Sequence, residues 1–347
     1  MELQTFWFIA VAFFWTGFFV LEGFDFGVGA LHRLIGRDDV ERRVVINTIG
    51  AWWDGNEVWL IVAVAAMFAA FPGWYATWFS ALYLLVWLLL AALIVRGVSF
   101  EFRGKFEAAR WRSTWSWTLT IGSLAAPLLL GIGLGDLIAG LPIDADGDFT
   151  GSFADLLTPY GLVFGVTLVT LSLLHGAAFL GLRTTGAVLS RSRTLARILA
   201  VPATVLVVVL MAWTAVLAPT GVWGVVAVVV PVAAAVVAAV AATRRRAPRL
   251  VFAATAVTIG GVVAALFAHL YPTLLVSSTD AAASLTVDDA SSSEYSLQVM
   301  TVVALVAVPL VVGYQAWSYY VFRRRLVSPS APLPRGGPAR PSEGVVT

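Results

Sequence analysis

The sequence predicts an all-α integral membrane protein with nine transmembrane helices, its N-terminus outside and its C-terminus in the cytoplasm. Three observations predict this. Hydrophobic residues make up 60% of the 347 and charged residues only 12%, with a mean hydropathy of +0.89. Apolar runs of about 20 residues, the length that crosses roughly 30 Å of hydrocarbon, recur along the whole chain. Basic residues fall in short clusters between those runs, as topology determinants do, so the pI near 9.1 points to a lipid bilayer and not to nucleic acid. The absence of cysteine excludes a disulfide, a thiolate nucleophile and a Cys-ligated metal site.

The spans are expected at 6–31, 50–71, 75–96, 115–139, 159–182, 198–218, 222–242, 250–270 and 297–322. Breakers mark the tight connections, Phe71-Pro72-Gly73 after the second span and Ala218-Pro219-Thr220-Gly221 after the sixth. Spans six to eight are almost entirely Val, Ala and Leu and read as scaffold or lipid-facing helices. Every Lys and Arg falls at Arg33 to Arg43, Arg96 to Arg112, Arg183 to Arg197, Arg244 to Arg249 or Arg323 to Arg340. The connections between these clusters carry acids only, among them Asp144, Asp146, Asp148, Asp280 and Glu294. The positive-inside rule then sets the orientation and requires an odd number of spans. A cleaved signal peptide is not expected, because Met1-Glu2-Leu3-Gln4-Thr5 lacks a positive n-region and the apolar stretch outruns an h-region. Residues 1–326 read as one polytopic transmembrane domain and 327–347, rich in Pro, Ser, Gly and Arg, as a disordered cytoplasmic tail.

Two acidic motifs interrupt this apolar background. Glu22-Gly23-Phe24-Asp25 lies in the first span and Trp53-Asp54-Gly55-Asn56-Glu57 in the second. An Asp at a helix centre costs roughly 2.5 to 3.5 kcal/mol on insertion scales, so four acids need a reason. At 1.5 Å per residue, Asp25 lies roughly 28 Å inward from Phe6, while Asp54 and Glu57 lie roughly 10 and 15 Å in from the cytoplasmic side. Both motifs therefore meet at similar depth, and the three-residue spacing of each pair places it on one helix face. Gly23 and Gly27 form a small-xxx-small pattern suited to close helix approach. No basic residue is expected within the hydrocarbon beside these acids. Acids so placed suit a proton relay, and equally they suit helix locking through hydrogen bonds to backbone, Asn56 or indoles, with Glu22 the most structural of the four.

The remaining chemistry is sparse. His32 is expected in a cytoplasmic loop, His175 mid-span as a packed core histidine and His269 at an outer helix end, so no two share the depth that bis-His haem ligation needs. No metal site is expected on this chain. Asp144, Asp146 and Asp148 lack the downstream ligands of a calcium loop and read as solvated. Buried acids would also serve a proton-coupled transporter, for which Gly131, Gly133 and Gly135 form the one broken-helix cluster, or a purely structural membrane anchor.

Several segments carry a resemblance. Gly23-Phe24-Asp25-Phe26-Gly27-Val28-Gly29, Asp39 to Arg43, Trp53 to Leu60, Arg110-Trp111-Arg112, Leu156 to Gly161, Ser277-Ser278-Thr279, Ala290 to Ser293 and Gln298-Val299-Met300 together resemble subunit II of the cytochrome bd-type quinol:oxygen oxidases. The likeness runs in order through nearly the whole chain, apart from the tail and spans six to eight. It implies the subunit that carries no haem of a bacterial plasma-membrane terminal oxidase, which oxidises quinol and reduces oxygen to water. By the same resemblance, two haems b, one haem d and the main quinol site belong to the partner, subunit I, and a small accessory membrane subunit is possible. It further implies two four-helix bundles plus one extra helix, and a proton-uptake role led by Asp54, followed by Asp25 and Glu57, with Glu22 last. Some relatives carry Gln where this chain has Glu57, so an ionisable group there is not essential across the family. No catalytic residue is expected on this chain itself.

Overall fold

A computed structural model describes residues 2–218, 221–244 and 247–326. The tail 327–347 and the central Pro219-Thr220 of one anticipated turn lie outside the described residues. Among those described, nine helices are long and apolar enough to cross a membrane. In chain order the elements are α1 (Leu3–Ile35), α2 (Asp39–Asn47), α3 (Trp53–Ala70), α4 (Pro72–Ala81), α5 (Tyr83–Phe102), α6 (Ala109–Ala139), α7 (Pro159–Arg183), α8 (Gly186–Leu217), α9 (Val222–Thr243), α10 (Pro248–Leu270), β1 (Thr273–Leu275), β2 (Leu285–Thr286), α11 (Val287–Ala290) and α12 (Glu294–Val321).

Local chemistry sets the boundaries. Phe71 precedes Pro72, whose ring disfavours helical geometry in the residue before it, and Phe71 accordingly adopts φ −135° and ψ 67°, ending α3. Asp38, Thr158 and Ser293 accept hydrogen bonds from the Glu41, Gly161 and Ser296 amides and so start α2, α7 and α12. Pro127, Pro202, Pro231 and Pro309 lie inside membrane helices, where neighbouring helices compensate the lost backbone bond. The third expected span, 75–96, is instead two helices, α4 and α5, hinged at Leu82. The hydrogen bonds Leu82 N to Trp78 O and Val86 N to Leu82 O, 2.9 and 2.8 Å, carry through the hinge.

Helix α1 is the organising element, packing against α3, α6, α7 and α10. It crosses α7 at Gly27 and Gly176, where a Cβ on Gly27 would overlap the Ser172 carbonyl, so only hydrogen fits. The rest of the packing is largely sequential, α5 on α6, α6 on α7, α7 on α8, α8 on α9 and α9 on α10. Helix α12 is the exception: it touches α1 and α3, and of its 28 residues only Leu297 is buried.

The basic connections converge on one end of the bundle. There Asp39 of α2 pairs with Arg103 and, at 3.0 Å, with Arg112, and Glu41 pairs with Arg191 at 2.5 Å. The opposite end is closed by the short β1–β2 pair and by Ser292, whose amide donates to Ala70 O at 2.8 Å.

Candidate functional site

The two acidic motifs meet at the arginine-rich end, but they do not meet as four buried acids. Glu22 and Asp25 on α1 are fully buried, Glu57 on α3 is partly buried, and Asp54 is exposed. Asp54 is exposed because α3 begins at Trp53, after a turn over 48–52, and its first turn presents Asp54 at an open edge of the chain. The three-residue spacing is honoured on α1, whereas on α3 the wide face places Glu57 inward and Asp54 at its edge.

The expectation that no basic residue lies among these acids is overturned. Arg96 is not in a connection; it projects from within α5, fully buried, with Nη2 2.6 Å from Glu22 Oε1 and Nη1 3.5 Å from Glu57 Oε1. The guanidinium is sandwiched by aromatic faces, 4.8 Å from the Phe26 ring centroid and 5.4 Å from that of Phe100, an arrangement that suits arginine's planar, weakly hydrated cation. Its contact with Glu22 is close but not aligned as a hydrogen bond, and neither carboxylate oxygen of Glu22 has an aligned donor. Donor and acceptor capacity is therefore left over for water or protons.

Asn56 connects this cluster to α12. Its Nδ2 donates to Asp25 Oδ2 at 2.6 Å and to the Leu21 carbonyl at 3.2 Å. Its Oδ1 accepts from Gln315 Nε2 at 2.7 Å and from the Tyr319 hydroxyl at 3.0 Å. A continuous set of hydrogen bonds thus runs from Tyr319, near the arginine-rich face, through Asn56 to Asp25. Sequence reasoning named Asn56 only as a possible partner and missed Arg96, Gln315 and Tyr319. A signal for Arg96 existed, since the apolar run from Tyr83 continues through Phe100 on both sides of it.

A third fully buried acid, Asp136 near the other end of α6, was also missed. Its Oδ1 accepts from the Thr158 hydroxyl at 2.6 Å, and its Oδ2 has no partner among the described residues. His32 is not in a loop but buried near the end of α1, its Nδ1 2.7 Å from Gly29 O. His175 is the packed core histidine expected, with Nδ1 2.6 Å from Thr255 Oγ1 and its ring stacked at 4.4 Å on Phe252. Among the described residues no three His, Asp or Glu side chains gather as a metal-holding group. An apolar cavity of about 460 Å³ between α1 and α3 to α6 is lined by aromatic side chains, among them Trp15, Tyr75 and Trp78, and by aliphatic ones, with no acid or histidine among the described residues.

Outside the spans, burial pushes the Glu41 carboxyl up, but the Arg37 amide and the Arg191 guanidinium outweigh it and hold Glu41 below its usual range.

Residues 3–322 match the family described as cytochrome bd terminal oxidase subunit II. The chain belongs to that family. It is 42% identical over 331 residues to cytochrome bd ubiquinol oxidase subunit 2 of Bacillus subtilis (strain 168), covering 94% of this chain and 97% of that one. It is 36% identical over 354 residues to cytochrome bd-I ubiquinol oxidase subunit 2 of Escherichia coli (strain K12), covering 92% and 93%. The fold matches a chain of the bd oxidase from Geobacillus thermodenitrificans with a TM-score of 0.77 at 18% identity, covering 93% of this chain and 99% of that one. As a cytochrome bd subunit II, the chain is a multi-pass protein of the bacterial plasma membrane. It works in a haem-containing terminal oxidase beside a subunit I.

Proposed function

We propose that this chain serves its quinol:oxygen oxidase as the subunit that carries no haem, supporting the partner and forming part of the proton path from the cytoplasm. The observation that carries the reading is the buried set Glu22, Asp25 and Glu57 around one guanidinium, tied by Asn56 to Tyr319 near the arginine-rich face. Three carboxyls beside a single Arg96 are net neutral with one ionised and two protonated, so the cluster can pass a proton by taking one up as it releases another without accumulating charge. Asp25 shares a hydrogen bond with Asn56 and keeps its Oδ1 unpartnered, which leaves an oxygen open to a water-borne proton. Asp54, exposed in the first turn of α3, takes the last position, facing out of the chain toward subunit I.

Orientation with the N-terminus outside and the C-terminus cytoplasmic follows from the convergence of the basic connections on one end. The grouping of α1, α3, α5 and α6, of α7 to α10, and of α12 alone supports two four-helix bundles plus one extra helix. The nearly bare α12 fits a helix whose remaining neighbour is subunit I. Two haems b and one haem d are assigned to that partner. The histidines do not pair as axial ligands of one haem, since His175 sits beside Gly23 of α1 and Thr255 of α10, more than two helical turns along α1 from His32 and nearly four along α10 from His269. No step on this chain is therefore routed through a haem.

The test is Asp54→Asn in the assembled two-subunit enzyme. The haem spectrum is expected to stay unchanged while quinol-driven oxygen consumption falls most of the way to background. Turnover and proton uptake at the unsubstituted level would sink the relay reading, and failure to assemble would favour a purely structural role.

A further inference from the structure

A second site lies at the arginine-rich face, outside the acid cluster. A cavity of about 350 Å³, within the range of small-ligand sites, opens between the ends of α3, α7, α10 and α12. Among the described residues four arginines line it, Arg183, Arg249, Arg323 and Arg325, and no carboxylate does. Its aromatic wall is Trp52 stacked on Tyr319, with ring centroids 5.0 Å apart and planes 3° from parallel.

The unsatisfied groups of this wall are all donors. Arg183 is only 9% exposed, its guanidinium lies 4.6 Å over the Trp52 ring, and its Nε has no hydrogen-bond partner among the described residues. Trp52 is equally buried and its Nε1–H is likewise unpartnered. Neither group can accept a hydrogen bond, so what completes them must be an acceptor. Among the described residues none of the four arginines forms an ion pair with Asp or Glu. The chain after α12 folds back over the cavity, its Leu326 amide donating to Arg183 O at 2.8 Å, which brings Arg325 to the rim. Arg323 is held at the rim by its own bond to Tyr320 O at 2.6 Å and its place 3.7 Å over the Tyr320 ring.

We propose that this cavity binds a phosphate-bearing anion. Guanidinium forks match phosphate oxygens two at a time, and four of them here face one cavity with an unpartnered buried donor in its wall. The phosphate can come from an anionic phospholipid headgroup of the adjoining leaflet or from a soluble phosphate compound. The site rests on its own residues and stands whether or not the acid cluster carries protons.

The experiment uses the two-subunit oxidase, stripped of lipid in neutral detergent and titrated with phosphatidylglycerol, with inorganic phosphate and with ATP. Binding is followed by native mass spectrometry. Arg249→Gln with Arg323→Gln, both at exposed positions, is expected to weaken binding by at least about tenfold, as for loss of a charge-assisted hydrogen bond. Arg37→Gln, an exposed arginine at the same end, leaves it unchanged. Arg249→Gln alone gives an intermediate loss and serves if the double variant assembles poorly. Retention of phosphatidylglycerol undisturbed by the soluble anions assigns the lipid source, and displacement by phosphate or ATP assigns the soluble one. Equal binding by the double variant and the unsubstituted enzyme, or an equal loss in Arg37→Gln, overturns the proposal.

Discussion

The buried acids of α1 and the exposed acid of α3 are the same chemistry in two settings. Glu22 and Asp25 are enclosed by α3, α5, α6 and α7 and are answered by Arg96 and Asn56 within the chain. Asp54 stands in the first turn of α3 on an exposed edge, where the helix N-terminus favours a negative charge but no side chain encloses it. The inner acids are thus part of what holds this subunit together, whereas the outer acid is free to serve another surface. Upsetting the charge balance around the first should cost stability, whereas substitution at the second should cost activity without stability.

The largest effect is expected at Arg96. Replacing it with Leu leaves Glu22 and Glu57 without their counter-charge, at a cost of roughly 3 to 5 kcal/mol for breaking a buried pair from one side. The yield of assembled enzyme and its thermal midpoint should both fall, and Glu22→Gln with Arg96→Gln should recover part of the loss. Recovery would show that the charge imbalance, and not lost packing, does the damage.

Next in size, Asp25→Asn preserves a side chain that accepts from Asn56 yet cannot give up a proton. Oxygen consumption should fall by about 10- to 100-fold with the haem spectrum and thermal midpoint nearly retained. An equally active Asp25→Asn enzyme would leave the buried pair purely structural and widen its contrast with Asp54.

Gly27→Val probes the same helix from its other side. The new side chain meets the Ser172 backbone, which cannot move without shifting α7, and a loss of about 1 to 3 kcal/mol is expected, read as a lower thermal midpoint of the assembled enzyme. Gly55→Ala on α3, beside Asp54, has open space and should be close to neutral, because the nearest atom to an added Cβ is Gln315 Oε1 at 3.9 Å.

The smallest effect belongs to Glu41 and Arg191. The folded carboxyl sits below its usual range, so its contribution is fully present above about pH 4.3, the ordinary value for glutamate. It is lost as pH falls through the lowered value. Glu41→Gln should remove that part of the acid sensitivity, seen as a shallower decline of the thermal midpoint below pH 4.3 than in the unsubstituted enzyme, while barely changing the midpoint near neutrality.

Much of this was legible in the residues. The nine apolar stretches fix the class because backbone groups in hydrocarbon must bond within their own helix, and the alternating basic clusters predicted which connections would gather at one end. Gly27 announced a close crossing, though not that α7 would be the neighbour. Arg96 was misread because a window of about 20 residues starting at Tyr75 ends just there. The helix instead restarts at Tyr83 after the Leu82 hinge and carries Arg96 well inside. Gln315 and Tyr319 carried no local signal, since only the packing of α12 on α3 makes them partners of Asn56.

By itself the sequence determined the membrane class, the span number, the alternation of charge and the presence of costly acids in α1, since each follows from local composition and the price of polarity in lipid. Tertiary structure alone decided which acids are enclosed. Burial and charge pairing depend on the rotation of each helix about its axis and on which neighbour it meets. That geometry turned Arg96 inward, left Asp54 at an edge, and brought four arginines to one cavity.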